Sequence, residues 1–375
     1  MLQRLVNWMR FDGLKPGKKT LPKNRPTPPA NPLVAAPFEP NPGNLRMFVY
    51  VPQGLKAGAP LVVALHGCGQ TAAGYGVEAG WCALAAELGF ALLAPEQKAV
   101  NNPGTCFNWF NPEDIARGEG EAASVAAMIQ TVVETYRLDA RRVFISGLSA
   151  GGAMTAVMLA TYPEVFAGGA IIAGLPYGAA ANVREALEAM RSAPLRTPHE
   201  WGDAVRAASP IAGPWPKVSI WHGALDTTVN INNAQASVAQ WADLLGVSLT
   251  DARQEMVEGA VRLSWDDRLE LYTLPLLGHG TPIDAHDIGN VAPFILQAGI
   301  SSSRRIADFW GLMPAAAISA RAPAAPAPAR PHIRLATETA LPKIEATLKP
   351  GIPPADRRTN IILKALKAAG LIKKH

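Results

Sequence analysis

The sequence predicts an α/β protein: one mostly parallel sheet with helices on both of its faces. Two patterns carry that expectation. Apolar runs alternate with helix-like segments from residue 45 to about residue 310, which is how layers build around a parallel sheet. Several of the runs are continuous instead of alternating, as strands covered on both faces are. Size adds a third observation. A chain of 375 residues that is 49% apolar can bury one large core, and single cores stop growing at roughly 250–300 residues, so one main domain with terminal extensions is expected.

Taken in order, residues 1–42 are rich in Pro, Lys and Asn with little periodicity and read as an extended arm that contributes little to the core. The main domain is expected over 43–312. Its strands are read at 45–51, 61–65, 90–94, 143–146, 169–173, 218–221 and 269–274, with helices between them at 81–88, 118–136, 151–161, 233–245 and 291–296. Residues 313–357 shift to Ala and Pro, as in the stretch from Arg321 to Arg330, and form a semi-rigid linker. Residues 358–375 set Ile361, Ile362, Leu363, Leu366, Leu371 and Ile372 beside Lys364, Lys367, Lys373 and Lys374, a short basic amphipathic helix. Its first reading is a terminal helix packed on its own domain or left frayed.

The formal charge of +5 does not point to nucleic acid, because the basic residues crowd into 10–25 and 357–374 with no basic, aromatic-interleaved stripe between. No apolar run reaches the roughly 18 residues that a bilayer crossing requires, so no transmembrane segment is expected. Residues 1–11 are amphipathic instead of unbroken and apolar, so no export signal is read there, which favours a cytoplasmic location. The three cysteines, Cys68, Cys82 and Cys106, lack metal-ligand spacing; no zinc site is expected, nor any cofactor, and at most one internal disulfide is possible.

The chemistry centres on Gly147-Leu148-Ser149-Ala150-Gly151. Two Gly and one Ser at fixed positions arise by chance in roughly one chain in ten of this size, so the pentapeptide alone decides little. Its setting decides more. Residues 141–146 read as a strand running into Gly147, and 151–160 as a helix directly after, which is the strand, tight turn and helix of a nucleophile elbow. The architecture implied is an α/β-hydrolase fold with Ser149 as nucleophile.

A serine hydroxyl needs a base, and the base needs a group that orients it. On this fold the acid and then the histidine follow the serine in the chain. Of the seven histidines, His199, His222, His279 and His286 qualify by position. His279, in Leu277-Gly278-His279-Gly280 after an apolar strand, is the expected base. Asp226 lies just past the strand at 218–221 and falls between Ser149 and His279, so it is the expected acid; its plainer use is to cap the next helix. His222 precedes the acid and reads as a loop-ordering residue. The oxyanion donors are expected from the backbone N–H of Ala150 and of Cys68, which follows the strand at 61–65 in His66-Gly67-Cys68. Trp109, Phe110, Trp215 and Trp221 are the aromatics available to line a substrate groove, with Trp109 and Trp221 the first choices, although large aromatics are more often core.

Several separate motifs add to the elbow: Leu65-His66-Gly67-Cys68-Gly69-Gln70, Pro95-Glu96-Gln97, Asn101-Asn102-Pro103, Cys106-Phe107-Asn108-Trp109-Phe110, Gly147 through Met154, and Trp221-His222-Gly223 followed by Asp226. Together they resemble the esterase family of polyhydroxybutyrate depolymerases over about residues 38–312. The resemblance implies a Ser149, Asp226 and His279 triad, and a serine esterase acting on short-chain hydroxyalkanoate polyesters or their oligomers. Feruloyl or acetylxylan-type carbohydrate esterase activity is the alternative within the family. It also implies a disulfide between Cys68 and Cys106 that braces the oxyanion loop, with Cys82 left free. A disulfide implies an oxidising, secreted or periplasmic setting. One departure stands out, since Gly280-Thr281-Pro282 follows His279 where relatives carry an aromatic residue or Ala. From another class, a granule-surface binding protein with a vestigial hydrolase domain would use the C-terminal helix to dock on a polymer granule; the complete Ser, Asp and His set argues against it. A peptidase ranks lower still, because nothing resembling a propeller or a large cap domain precedes the fold.

Overall fold

The computed structural model describes residues 32–211 and 213–313. The expected linker and C-terminal helix, and most of the N-terminal arm, lie outside the described residues.

The chain begins with strands β1 (Val34–Ala36), β2 (Arg46–Tyr50) and β3 (Leu61–Leu65), then helices α1 (Ala72–Glu78) and α2 (Trp81–Leu88) and strand β4 (Ala91–Glu96). Helices α3 (Pro112–Ile115) and α4 (Gly120–Tyr136) lead to β5 (Val143–Leu148), α5 (Ala150–Thr161) and β6 (Gly168–Ile172). Helices α6 (Val183–Arg191) and α7 (Pro198–Ala208) precede β7 (Lys217–Gly223) and α8 (Asn232–Leu245). The rest is β8 (Arg253–Val257), β9 (Ala260–Trp265), β10 (Leu269–Leu274), β11 (Thr281–Ile283), β12 (Ile295–Gln297) and α9 (Ser302–Phe309).

Ten strands form one sheet in the order β1-β2-β4-β3-β5-β6-β7-β10-β9-β8. The centre, β4-β3-β5-β6-β7-β10, is parallel throughout, and the flanks β1-β2 and β9-β8 join antiparallel. Because side chains alternate across a strand, β3 sends Leu61, Val63 and Leu65 into one apolar layer and Val62 and Ala64 into the other. The first layer packs against α4, α5, α7 and α8, the second against α1, α2 and α9. Every residue of β3, β4, β5 and β6 is buried, which is why these strands read as continuous runs.

Three expectations change. The arm expected through residue 42 ends earlier: β1 pairs with β2, and Leu33 is buried in the second layer. The helix expected at 291–296 is a loop running into β12, because Pro293 supplies no N–H and Phe294 sits at φ 64°. The hairpin β8-β9 was not expected. Its outer strand is half-exposed and polar, so it shows no apolar run, while its turn is made by Glu258 and Gly259 at φ 50° and 84°, both in the left-handed region that two-residue hairpins favour.

Candidate active site

Ser149, Asp226, His279 and the Cys68 loop all follow the C-terminal ends of parallel strands, β5, β7, β10 and β3. Strand β5 runs directly into Ser149, which takes φ 57° and ψ −116° before α5 begins. A non-glycine residue holds such a conformation only where its surroundings fix it. Here Ser149 N–H donates to the Ile172 carbonyl of β6 at 2.9 Å, and the Ser149 carbonyl accepts the N–H of Ala153 at 2.9 Å. The elbow also brings backbones into contact. A Cβ on Gly147 would lie 2.3 Å from the Gly151 carbonyl oxygen, and one on Gly151 would lie 2.4 Å from that of Leu65 on β3. Glycine is required at both positions on steric grounds.

Asp226 follows β7 and His279 follows the neighbouring β10. The two loops clasp: Ala224 N–H donates to the Leu274 carbonyl and Leu225 N–H to the Leu277 carbonyl, each at 2.9 Å. This sets His279 Nδ1 at 2.7 Å from Asp226 Oδ2 and His279 Nε2 at 2.9 Å from Ser149 Oγ. With the carboxylate accepting from Nδ1–H, Nε2 is left to accept the serine hydroxyl proton. Asp226 does not cap α8. Its Oδ1 accepts the N–H groups of Thr228 and Val229, at 2.8 and 2.9 Å. Burial alone would raise the Asp226 carboxyl, but hydrogen bonds and charge from His222 and His279 outweigh it and hold the group below the usual carboxylate range. Of the other histidines, His199 lies on α7 against Asp203 and Asp243, and His286 is exposed.

The loop after β3 lies beside the elbow, with Leu65 opposite Gly147 in register. The N–H groups of Cys68 and Ala150 have no acceptor among the described residues, the second because the first N–H groups of a helix have no partner within it. Other contacts hold the loop in shape. Gln70 Oε1 accepts Gly67 N–H at 2.8 Å, and Gly69 N–H donates to the Gly104 carbonyl at 2.9 Å. Buried His66 donates from Nδ1 to the Gly67 carbonyl at 2.8 Å and accepts Gln97 N–H at Nε2, 3.1 Å away; burial pushes its pKa down to about 4. Cys68 is disulfide-bonded to Cys106, and Cys82 is buried and free.

The segment behind Cys106 rests on a buried carboxyl. Glu121 accepts from Asn108 N–H and from Asn108 Nδ2, both at 2.8 Å, and from Gln97 Nε2, which also donates to the Cys106 carbonyl. Burial nevertheless pushes Glu121 up to about 8.

Trp109 and Trp221 do not line a groove. Trp221 is fully buried on β7, stacked on Tyr272 at 3.8 Å, with Nε1 donating to Ser219 Oγ. Trp109 is buried edge-on against Phe110 in the first layer, with Phe110 and Trp215 packed on that layer's margin. For Trp221 the reason is the two-sided cover of a central sheet, which leaves a large aromatic no open face. The ring beside His279 belongs instead to Phe294, 5.9 Å away and roughly perpendicular. It arrives there because β11 pairs with β12 and Thr281 N–H donates to the Phe294 carbonyl. That approach also explains Gly280, where a Cβ would lie 2.7 Å from the Phe294 carbonyl oxygen. Sequence reasoning missed Phe294 because only the β11-β12 pairing places it. Gln70 was missed likewise, though it stands in a quoted motif; its Nε2 donates to the Pro293 carbonyl and so ties the Cys68 loop to the Phe294 loop.

A parallel sheet that carries a serine on a strand-turn-helix elbow at its C-terminal edge, within reach of a histidine and an aspartate from later strands, is an α/β-hydrolase. Similarity narrows the class. A family model described as "Esterase PHB depolymerase" matches residues 45–262, and the chain belongs to that family of ester hydrolases. It is 43% identical over 286 residues to poly(3-hydroxyalkanoate) depolymerase C of Paucimonas lemoignei, covering 74% of this chain and 69% of the relative. It is 32% identical over 239 residues to feruloyl esterase B of Thermothelomyces thermophilus, covering 62% and 80%. Among solved structures, the acetyl xylan esterase from Aspergillus awamori superposes with a TM-score of 0.65 at 25% identity, covering 75% of this chain and 99% of that one.

Proposed function

We infer that the chain hydrolyses esters by acyl transfer through Ser149, with residues 43–312 as the catalytic domain. The observation that carries this reading is His279 bridging Asp226 and Ser149 at 2.7 and 2.9 Å. His279 takes the Ser149 proton as Oγ attacks the ester carbonyl, and the oxyanion is held by the N–H groups of Cys68 and Ala150. His279 then gives the proton to the leaving alcohol. Water, activated by the same imidazole, releases the acid from the acyl-enzyme and regenerates Ser149.

The proposed substrate is a hydroxyalkanoate polyester or its oligomers. Support comes from the relative in Paucimonas lemoignei and from apolar side chains around the site: Phe294 beside His279, and Leu225 and Leu276 exposed on the two loops that carry Asp226 and His279. The acetyl xylan esterase likeness favours a carbohydrate ester as the second reading. The disulfide supports an oxidising compartment. A polymer-surface role for residues 358–375 rests on their sequence pattern alone.

Ser149→Ala tests the mechanism: kcat on a p-nitrophenyl ester is expected to fall by about 10⁴-fold or more with the thermal midpoint unchanged, and full activity would overturn it. A panel of hydroxybutyrate oligomers, polymer film, feruloyl esters and acetylated xylan separates the substrates. A kcat/KM higher on oligomers than on either carbohydrate ester is expected.

A further inference from the structure

A second histidine stands against the acid. His222, near the end of β7, sets its ring against the loop that carries Asp226, with Nε2 at 2.8 Å from the Val229 carbonyl oxygen and 3.3 Å from Asp226 Oδ2. Its side chain is 1% exposed and that of Asp226 is 0% exposed, so water does not replace the contact. The tautomer follows from the partners. Nε2 faces two oxygen acceptors and Nδ1 has no partner among the described residues, so the proton belongs on Nε2.

The consequence for Asp226 is a carboxylate with a polar partner against both oxygens. Oδ1 takes the Thr228 and Val229 N–H groups, and Oδ2 takes His279 Nδ1–H while facing His222 Nε2 at 3.3 Å. The titratable groups against the carboxylate are therefore His222, from the end of β7, and His279, from the loop after β10. With Val229 also gripped at both its N–H and its carbonyl, the carboxylate can neither rotate nor slide without losing a buried hydrogen bond.

We propose that His222 is a positioning residue for the hydrolytic reaction: its Nε2–H, anchored on the Val229 carbonyl and facing Asp226 Oδ2, fixes that oxygen in the plane and direction that orient His279 toward Ser149. This rests on the acyl-transfer reading above and adds a fourth member to it. His222 touches no reacting atom; it acts through Asp226.

The test compares two amides. Gln at position 222 carries its NH₂ near the place of Nε2 and keeps a donor for Oδ2, whereas Asn carries it near Nδ1 and does not. In His222→Asn, kcat on a p-nitrophenyl ester is expected to fall about 10-fold to 100-fold with KM within about twofold, and His222→Gln is expected to recover most of that loss. With one donor gone, more carboxylate charge faces the imidazole and favours its protonated form, so the acid limb of the kcat/KM profile of the Asn variant moves up by about half a pH unit. A residue that merely braces the loop lowers the thermal midpoint in both variants and leaves that limb in place, and this outcome overturns the proposal. So does an Asn variant with wild-type kcat. If His222→Asn does not fold, His222→Leu, which also lacks a donor, takes its place beside His222→Gln with the same expected and overturning outcomes. Active Ser149→Ala would instead defeat the underlying mechanism, so the two failures are distinguishable.

Discussion

At Ser149 the elbow stores its strain in one residue at φ 57°, and close backbone contacts on both sides make that conformation the one available. Gly151→Ala is therefore expected to cost about 3 kcal/mol or more, since its Cβ meets the backbone of β3 and not a side chain that can move aside. A urea denaturation midpoint equal to that of the wild type would contradict this. Ser149, Asp226 and His279 were legible in the sequence because each stands at the end of a strongly apolar strand and in the chain order the fold requires. Their supporting contacts were not. Phe294, Gln70 and the 3.3 Å approach of His222 to Asp226 depend on loop pairings that no local pattern encodes. Trp221 misled for the opposite reason, since its place beside the His222 motif suggested a groove while the alternation of β7 turns it into the core.

Among elements, the segment from Cys106 to Phe110 acts as a buttress for the Cys68 loop. The disulfide spans 38 residues of sequence, and Glu121 on α4 holds its far side through Asn108 and Gln97. Cys106→Ser is expected to lower stability by about 2–4 kcal/mol. It is also expected to lower kcat about tenfold, a fraction of the cost of losing an oxyanion donor outright. Circular-dichroism melting and steady-state kinetics check both, and unchanged kcat would show that the Cys68 loop holds its shape unaided. The central strands and the helices α2, α4, α5 and α8 were readable because burial on both faces writes itself as apolar runs and long periodic segments. Strands β1, β8 and β9 were not, because sheet edges are polar or short. Helices α6 and α7 carry few apolar residues over a narrow face, so their starts rest on capping by Asn182 and by Thr197 with Glu200.

Over the whole molecule, two buried groups give stability opposite pH slopes. His66 falls from 6.5 to about 4 on folding, so the folded chain binds fewer protons there and loses stability as pH drops from about 6.5 toward 4. Glu121 rises from 4.5 to about 8, so the folded chain holds an extra proton and loses stability as pH climbs from about 4.5 toward 8. Above about pH 6.5 only the second effect remains. The melting temperature is expected to decline between pH 6.5 and 8, and Glu121→Gln is expected to flatten that decline; an equal slope in the variant would place the titration elsewhere. The fold and the family make the molecule an ester hydrolase, and the acyl-enzyme at Ser149 is the claim on which the mechanism stands. A fluorophosphonate ester probes it directly: peptide mass spectrometry is expected to find one adduct, on Ser149, appearing in step with loss of esterase activity and absent from Ser149→Ala. Inactivation without modification of Ser149, or a fully labelled Ser149 with esterase activity intact, would contradict it.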